Sequence, residues 1–172
     1  MQTVVYPGSF DPITFGHLDI IQRSLRLFEK VIVAVVQNPA KQPLFTLQER
    51  VEMIREQLNG LKNVEVDSFS GLLVDYLAKR NVFTIVKGLR ALSDFDFEFQ
   101  LALMNRKLNR DVETAFFVTD SKYIYLSSSA VKEIASLGGS VSELVPPGVE
   151  AAMKKRFGRI DTSQIAQRSF PE

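Results

Sequence analysis

Residues 6–17 have the sequence YPGSFDPITFGH, and this stretch decides the fold class. A short apolar run ends at Tyr6, and apolar residues at helical spacing begin after His17. The Pro, Gly and Ser residues between them predict a loop, followed by a helix that begins near Gly16 and His17. The free N–H groups and the positive end of such a helix favour the binding of an anion. His17 is the single histidine of the chain, so any imidazole chemistry belongs to this loop.

Short apolar runs alternate with amphipathic patterns along the rest of the chain. Further strands are predicted at Val31–Val36, Val64–Val66, Phe83–Val86 and Thr114–Val118. Helices are predicted from Thr46 to Gly60, Leu72 to Arg80, Phe97 to Leu108, Ser127 to Leu137 and Pro146 to Phe157. This alternation predicts an α/β fold, a Rossmann-like doubly wound sheet of five parallel strands in the order 3-2-1-4-5.

Length and composition set the class of protein. A chain of 172 residues with 45% apolar and 24% charged residues is typical of a soluble globular protein. We predict one domain over residues 1–157, and a polar tail over residues 158–172 whose lack of periodicity is typical of disorder. Neither a secretory leader nor an apolar run of membrane-spanning length is present, which predicts a cytoplasmic protein.

The charge and cysteine counts exclude several functions. The net charge is +1, which argues against a general nucleic-acid or membrane binder, because both need a surplus of basic residues. The chain has no cysteine, so disulfides, thiol catalysis and cysteine metal sites are excluded. A single histidine also argues against a zinc site. A small local cluster of basic residues remains compatible with this balance.

The predicted strand order brings two loops together. Strands one and four are neighbours in this order, and ligands bind above their carboxyl ends. The loop Tyr6–His17 should therefore face the segment Lys87–Arg90. Lysine supplies a point charge and arginine a bidentate fork, and both suit phosphate oxygens. The simpler alternatives are that His17 only starts a helix and that Lys87 and Arg90 are solvated charges.

Three other segments are candidates. Ser127–Ser129 stand at a predicted helix start, where hydroxyl and N–H groups bind phosphate or simply cap the helix. Lys41 lies in the loop after strand two, on the ligand side of the sheet, although a lone loop lysine is usually just solvated. Asp94–Phe99 alternates acids with phenylalanines, and we interpret it as a loop running into the next helix. Its acids show no recognised metal spacing, so a structural use is the default for Asp94 and Asp96.

Four sequence blocks, taken in order, resemble one enzyme family. They are YPGSFDPITFGHLDII, NPAKQPLFTLQER, KGLRALSDFDFEFQLALMN and SSSAVKEIA. The first contains the [HT]xGH motif of a nucleotidyltransferase superfamily that includes class I aminoacyl-tRNA synthetases. Together the blocks are similar to those of the bacterial phosphopantetheine adenylyltransferases, over about Val4 to Phe157. Ser9 stands where threonine is common in that family, and Lys87 where arginine is common.

The resemblance implies a reaction, a set of binding residues and partners. The family makes 3′-dephospho-coenzyme A and pyrophosphate from 4′-phosphopantetheine and ATP. By this resemblance His17 stabilises the transition state, and phosphopantetheine is bound by Ser9, Lys41, Leu73 and Lys87. ATP is bound by Ser9, Phe10 (through its backbone), His17, Gly88, Leu89, Arg90, Glu98, Tyr123, Ile124, Tyr125, Leu126, Ser127, Ser128 and Ser129. The resemblance also implies Mg²⁺ with unassigned ligands, a homohexamer, and coenzyme A as a candidate feedback ligand.

The expected mechanism is direct in-line attack of the acceptor phosphate on the α-phosphate of ATP. Such a reaction needs positioning and charge stabilisation rather than a covalent intermediate. Two alternatives remain open from the sequence. One is a small adenylyl- or cytidylyltransferase that acts on nicotinamide mononucleotide or glycerol phosphate. The other is a non-catalytic domain that binds or senses a nucleotide without turnover, because a fold alone does not fix a function.

Overall fold

Five parallel strands form one sheet in the order β3-β2-β1-β4-β5. The computed structural model describes residues 2–38, 42–90 and 92–158. The strands are β1 (Thr3–Gly8), β2 (Lys30–Gln37), β3 (Val64–Ser70), β4 (Thr84–Leu89) and β5 (Glu113–Val118). The pairs β1–β2, β1–β4, β2–β3 and β4–β5 are all parallel. The predicted fold class and strand order are confirmed.

Helices connect the strands and cover both faces of the sheet. They are α1 (Phe15–Ser24), α2 (Leu47–Gln57), α3 (Leu73–Arg80), α4 (Leu92–Leu108), α5 (Ser128–Ser136) and α6 (Pro147–Phe157), and a short 3₁₀ turn covers Ser121–Tyr123. Residues of the central strands alternate between two buried clusters. Val4 belongs to the larger cluster together with Ile21 and Ile54, whereas Val5 belongs to the smaller one together with Leu77. Burial on both faces explains why β1 and β2 contain continuous apolar runs rather than alternating sequences.

The start of α1 differs from the prediction. Its N-cap is Thr14, so the helix begins at Phe15, and His17 occupies the third helical position. Leu25 and Phe28, which continue the apolar spacing after His17, lie beyond the last helical residue. By contrast, the helix predicted from Thr46 has that start: Thr46 is the N-cap of α2 and forms a capping box, in which its side chain accepts from the Glu49 backbone N–H.

Two predicted segments around β4 are wrong. The prediction of a loop over Asp94–Phe99 fails, because α4 already begins at Leu92. Acids alternate with phenylalanines in this segment, which is the pattern of a half-buried strand. The helix α4 has apolar residues on several sides, so its sequence lacks the one-sided apolar pattern by which helices are predicted. The predicted loop Lys87–Arg90 is also wrong for its first three residues, because β4 pairs with β5 as far as Leu89.

The described helices include none with the length and apolarity needed to cross a membrane. The predicted tail, residues 158–172, lies outside the described residues except for Gly158.

Candidate functional site

A cavity of about 680 Å³ opens above the carboxyl ends of β1 and β4. Ser9, Phe10 and His17 line it from the β1 side, and Lys87 and Arg90 from the β4 side. The two segments that the strand order predicted to meet therefore line one cavity. This is the place where open α/β sheets bind their ligands.

His17 has one ring nitrogen engaged by the start of its own helix. The backbone N–H of Thr14 donates to His17 Nδ1 over 3.0 Å. In return, the Thr14 hydroxyl oxygen accepts from the His17 backbone N–H over 3.4 Å. This is a capping box in which histidine replaces the usual Glu or Gln. Because a backbone N–H can only donate, Nδ1 is the acceptor and the ring proton lies on Nε2.

The surroundings of His17 keep its ring uncharged. Burial, with a smaller effect of the Arg90 charge, lowers the pKa of His17 to about 4. At neutral pH the ring is therefore a neutral donor through Nε2. His17 can therefore cap its helix and contact a ligand at the same time. The cap uses Nδ1, and the ligand would accept from Nε2.

Arg90 is held in place by two elements. Its Nε and Nη2 donate to the carboxylate of Asp94 over 2.9 and 3.2 Å. Its Nη1 donates to the carbonyl oxygen of Leu126 over 3.0 Å. These bonds tie the end of β4 to α4 and to the segment that precedes α5. Within the described residues these bonds use three of the five N–H groups of the guanidinium, and the other two are available to a ligand.

Lys87 is paired with a carboxylate. Its Nζ lies 3.3 Å from Glu98 Oε2 and 3.4 Å from Glu98 Oε1. Both side chains are mostly buried and line the cavity. The geometry is that of an ion pair without a well-directed hydrogen bond to Oε2. An arriving phosphate would share Lys87 with Glu98.

Phe10 has a positive φ of 46° and packs its buried ring between residues of β1 and α1. The ring lies edge-on to Tyr6 at 5.3 Å and to His17 at 5.1 Å between ring centroids. A Cβ at Gly8 would come within 3.0 Å of this ring, so glycine is needed there. Gly16 also lines the cavity, but a Cβ there would make only ordinary van der Waals contacts, with its nearest neighbouring atoms 3.6 Å away.

The three serines at the start of α5 differ in their contacts and in the cavity that they line. The Ser127 hydroxyl oxygen accepts from the Ala130 N–H over 3.1 Å, which is the capping role. Ser128 donates to the carbonyl oxygen of Pro12 over 2.8 Å and lines the main cavity. Ser129 lines a smaller side cavity of about 290 Å³, which shares Ser9 and Ser128 with the main one.

Most of the predicted binding residues line the main cavity, and a few do not. Those that line it are Ser9, Phe10, His17, Leu73, Lys87, Gly88, Arg90, Glu98, Tyr123, Leu126, Ser127 and Ser128. Leu89, Ile124, Tyr125 and Ser129 are not among its lining residues. Lys41 lies outside the described residues. Within the described ranges, no group of three His, Cys, Asp or Glu side chains could hold a metal ion.

Several residues of the site region were not singled out from the sequence. Asp11 is buried, accepts from the Leu44 and Phe45 N–H groups over 2.9 Å each, and pairs with Lys132 over 2.8 Å. Arg50 is buried and donates to the carbonyl oxygens of Ser9, in the loop after β1, and of Val36, near the end of β2. The burial of Arg50 could have been predicted from the sequence, because Arg50 stands four residues before Ile54, on the apolar face of α2. A charged residue on such a face is unusual.

The comparisons with known proteins identify a family. Residues 5–134 match the sequence model of the Cytidylyltransferase-like family, which is more than half of the chain. The chain is 57% identical over 157 residues to the phosphopantetheine adenylyltransferase of Caldanaerobacter subterraneus subsp. tengcongensis, covering 91% of this chain and 98% of that protein. It is 58% identical over 158 residues to the phosphopantetheine adenylyltransferase of Heliobacterium modesticaldum, covering 92% and 94%.

A solved structure supports the fold independently. It is the Plasmodium falciparum nicotinic acid mononucleotide adenylyltransferase complexed with NaAD, with a TM-score of 0.65 and 14% sequence identity. The match covers 91% of this chain and 96% of that one. At this identity the likeness shows the fold alone.

Proposed function

Because the chain belongs to the phosphopantetheine adenylyltransferases of the Cytidylyltransferase-like family, we propose that its cavity transfers the adenylyl group of ATP to 4′-phosphopantetheine. The products are 3′-dephospho-coenzyme A and pyrophosphate. The observation that carries the proposal is the position of His17, Lys87 and Arg90 around one cavity. Two phosphorylated substrates need charge-assisted hydrogen-bond donors, and Lys87 and Arg90 bring such donors to the cavity, where Glu98 and Asp94 balance their charge.

The proposed chemistry is one in-line displacement. An oxygen of the acceptor phosphate forms a bond to the α-phosphorus of ATP, the bond from the α-phosphorus to the bridging oxygen breaks, and pyrophosphate leaves. The acceptor is already ionised, so no general base is required. His17 would donate from Nε2 to a phosphate oxygen as negative charge spreads in the transition state. Arg90, with two N–H groups free, would hold the departing phosphates.

The two substrates are assigned to two sets of residues that share Ser9. We assign phosphopantetheine to Ser9, Lys41, Leu73 and Lys87. We assign ATP to Ser9, Phe10, His17, Gly88, Leu89, Arg90, Glu98 and residues 123–129. The described members that line the cavity surround one space, and the division between the substrates, like the inclusion of Lys41, comes from the sequence resemblance. Coenzyme A resembles the product closely enough to be our candidate feedback ligand at the same site.

Magnesium fits the substrates better than the protein. The cavity carboxylates are engaged, Asp94 by Arg90 and Glu98 by Lys87. The described side chains also offer no three-residue metal cluster. We therefore propose that Mg²⁺ enters bound to the phosphate oxygens of ATP, whose charge it would partly neutralise. Titration of the protein with Mg²⁺ alone should give no measurable binding, whereas millimolar binding without ATP would contradict this proposal.

We also propose that the chain assembles as a homohexamer and works in the cytoplasm. The support for assembly is the apolar surface of α4, on which six large side chains are exposed: Phe95, Phe97, Phe99, Leu103, Met104 and Leu108. Surfaces of this kind commonly mark protein interfaces. Sedimentation should give a hexamer for the wild type and a smaller species for Leu103→Glu. A monomeric wild type would refute the proposal.

The support for a cytoplasmic location is the substrate pair, because ATP is made and held in the cytoplasm.

The decisive experiment is incubation with ATP and 4′-phosphopantetheine, with both products identified by mass. Nicotinic acid mononucleotide, nicotinamide mononucleotide and glycerol phosphate serve as competing acceptors, each with ATP and with CTP. Pyrophosphate release with phosphopantetheine and ATP at a kcat/KM far above the other pairs is the expected result. Turnover of another acceptor in preference, or nucleotide binding without turnover, would replace the proposal by one of the alternatives.

His17→Ala tests the mechanism within that assay. We expect kcat to fall by about 10²–10³, the usual effect of removing one transition-state donor. ATP binding, measured by calorimetry, should change much less. A variant with near-normal kcat would remove His17 from the mechanism.

A further inference from the structure

Arg50 carries a buried charge beside the loop after β1, where it also lines the side cavity. It belongs to α2, and only 3% of its surface is exposed. Its Nη1 donates to the carbonyl oxygen of Ser9 over 2.6 Å and to that of Val36 over 3.2 Å. The Nε of Arg50 meets no acceptor in the described part of the chain. Arg50 therefore links α2 to the loop after β1 and to the end of β2 through these two hydrogen bonds.

The bond to Ser9 fixes the peptide that joins Ser9 to Phe10. In a planar trans peptide the C=O and the following N–H point in opposite directions. Because Arg50 draws the Ser9 carbonyl toward α2, the Phe10 N–H points away from α2. Among residues 2–38, 42–90 and 92–158, this N–H has no hydrogen-bond acceptor. Ser9 and Phe10 both line the main cavity, so a ligand is the partner available to it.

The backbone of Phe10 needs such support. Its φ of 46° is in the left-handed region, which side chains other than glycine rarely adopt. Residues in this region persist where the surrounding structure holds them, and they concentrate at ligand sites. Two anchors flank Phe10. Arg50 holds the carbonyl before it, and the buried Asp11 after it is held by Lys132 and by two backbone N–H groups.

We propose that Arg50 is a positioning residue, which turns the Phe10 N–H into the cavity as a donor to a phosphate of the bound nucleotide. The proposal rests on the proposed function and extends it, since it names what holds the Phe10 backbone in its ATP-binding orientation. It also explains why a charge is buried here. A buried arginine costs desolvation that an apolar side chain of similar size avoids. Methionine would fill the space, but it would leave the Ser9 carbonyl free to rotate.

The test compares Arg50→Met, Arg50→Lys and Arg55→Met. Arg55 is on the same helix but exposed, and its one hydrogen bond within the described residues is to the Val66 carbonyl at 3.4 Å, so Arg55→Met is the matched control. We expect Arg50→Met to lower kcat/KM for ATP by about 10²-fold, as misplacement of a contact does. Binding of phosphopantetheine alone should change much less. Arg50→Lys should recover part of the loss, because an ammonium group can still reach one carbonyl. Arg55→Met should behave as the wild type.

Folding is checked by circular dichroism and by thermal unfolding. A folded Arg50→Met protein with ATP parameters within twofold of the wild type would overturn the proposal. So would equal losses for both substrates, because they would indicate a general loosening of the fold.

A crystal structure of the wild-type protein with ATP covers the case in which Arg50→Met does not fold. It should show Phe10 N within about 3.2 Å of a phosphate oxygen. A Phe10 N–H directed at a protein acceptor would refute the proposal. The crystal structure uses ATP alone, so its outcome does not depend on which acceptor the enzyme prefers. A wrong acceptor assignment would appear in the product assay and would leave the position of the Phe10 N–H unchanged.

Discussion

A neutral imidazole at the mouth of the cavity has a measurable consequence. We expect the His17 ring to titrate near pH 4, because burial and the Arg90 charge disfavour its protonated form. The chain has one histidine, so its ring resonance in an NMR titration is unambiguous. Between about pH 6 and 8 the dependence of kcat/KM on pH should then contain no step from His17. A ring that titrates near its ordinary value of about 6.5 would contradict the described environment.

The same shift affects stability, with a definite sign. The unfolded chain binds a proton to His17 near pH 6.5, and the folded chain only near pH 4. The unfolded state therefore gains protons first as the pH falls. The contribution of His17 is complete above about pH 6.5 and declines between about pH 6.5 and 4. Urea unfolding of His17→Gln, which lacks a titrating ring, should show a smaller decline in this window.

Lys87 should discriminate between the two substrates. We expect Lys87→Ala to raise KM for phosphopantetheine by about 10- to 100-fold, since a charge-assisted bond contributes about 1.5–3 kcal/mol. KM for ATP should rise much less. Initial-rate measurements with each substrate varied in turn give the two values. Equal increases would contradict the division of the cavity.

The sequence predicted the charged residues of the cavity better than it predicted what holds them. Lys87 and Arg90 follow an apolar run, which is a local pattern. Asp94 becomes the partner of Arg90 only when the chain is helical there, and the alternation of acids with phenylalanines hid that helix. Arg50 acts on a carbonyl 41 residues away in sequence, a contact that no local pattern contains.

At the scale of elements, the packing of β4 against α1 sets the width of the cavity. A Cβ at Gly88 would lie 3.1 Å from Ile20 Cγ1 and 3.2 Å from Ile20 Cδ1, and Ile20 is buried. We expect Gly88→Ala to lower the free energy of unfolding by about 1–3 kcal/mol, as overpacking does. It should also lower kcat, because the end of β4 must move away from α1. Urea unfolding and the product assay measure the two effects.

Gly148→Ala is the matched control. A Cβ there would be 3.6 Å from its nearest atom, Glu56 Oε2, and the residue lies in α6. Alanine is the better helix former, so this variant should be as stable as the wild type or more stable. Equal destabilisation by the two substitutions would show that close packing at Gly88 is not the cause.

Element boundaries show where sequence patterns fail. The strands were found because they are continuous apolar runs, but β4 continues through Lys87 and Gly88, whose residue types are typical of loops. The start of α1 was placed one to two residues late, near Gly16 and His17 rather than at Phe15. The capping-box pattern expects Glu or Gln at its third position, and here that position is His17. Polar residues at the ends of helices and strands bind ligands as well as cap helices. Their residue types therefore differ from those that a capping pattern alone predicts.

At the scale of the whole molecule, the ligand joins two parts of the chain. Ser9, Phe10 and His17 precede β2, whereas Lys87, Arg90 and Ser128 follow the start of β4. ATP at 100 times its dissociation constant should therefore raise the free energy of unfolding by about 2.7 kcal/mol. For a domain of this size the melting temperature should rise by roughly 5–10 °C. Differential scanning calorimetry with ATP and, as control, with adenosine measures the difference. A rise equal to that with adenosine would show that the phosphates contribute nothing.

The topology was predictable because alternating strands and helices leave few arrangements. Right-handed crossovers and buried parallel strands reduce the choice to a small set, and the order 3-2-1-4-5 is that of the Rossmann-like arrangement within it. The apolar exposure of α4 was not predictable. Its sequence is apolar on several sides, and the described chain covers only part of that surface.

The central position of β1 has a consequence during synthesis. The first strand to leave the ribosome is paired on one side by β2, but its other neighbour, β4, begins only at residue 84. A nascent chain that stops before that point holds the histidine and lacks the cations opposite to it. Nucleotide affinity should then arise late in translation, at the moment when the sheet acquires its fourth strand. In stalled nascent chains of increasing length, retention on immobilised ATP would report directly on completion of the sheet.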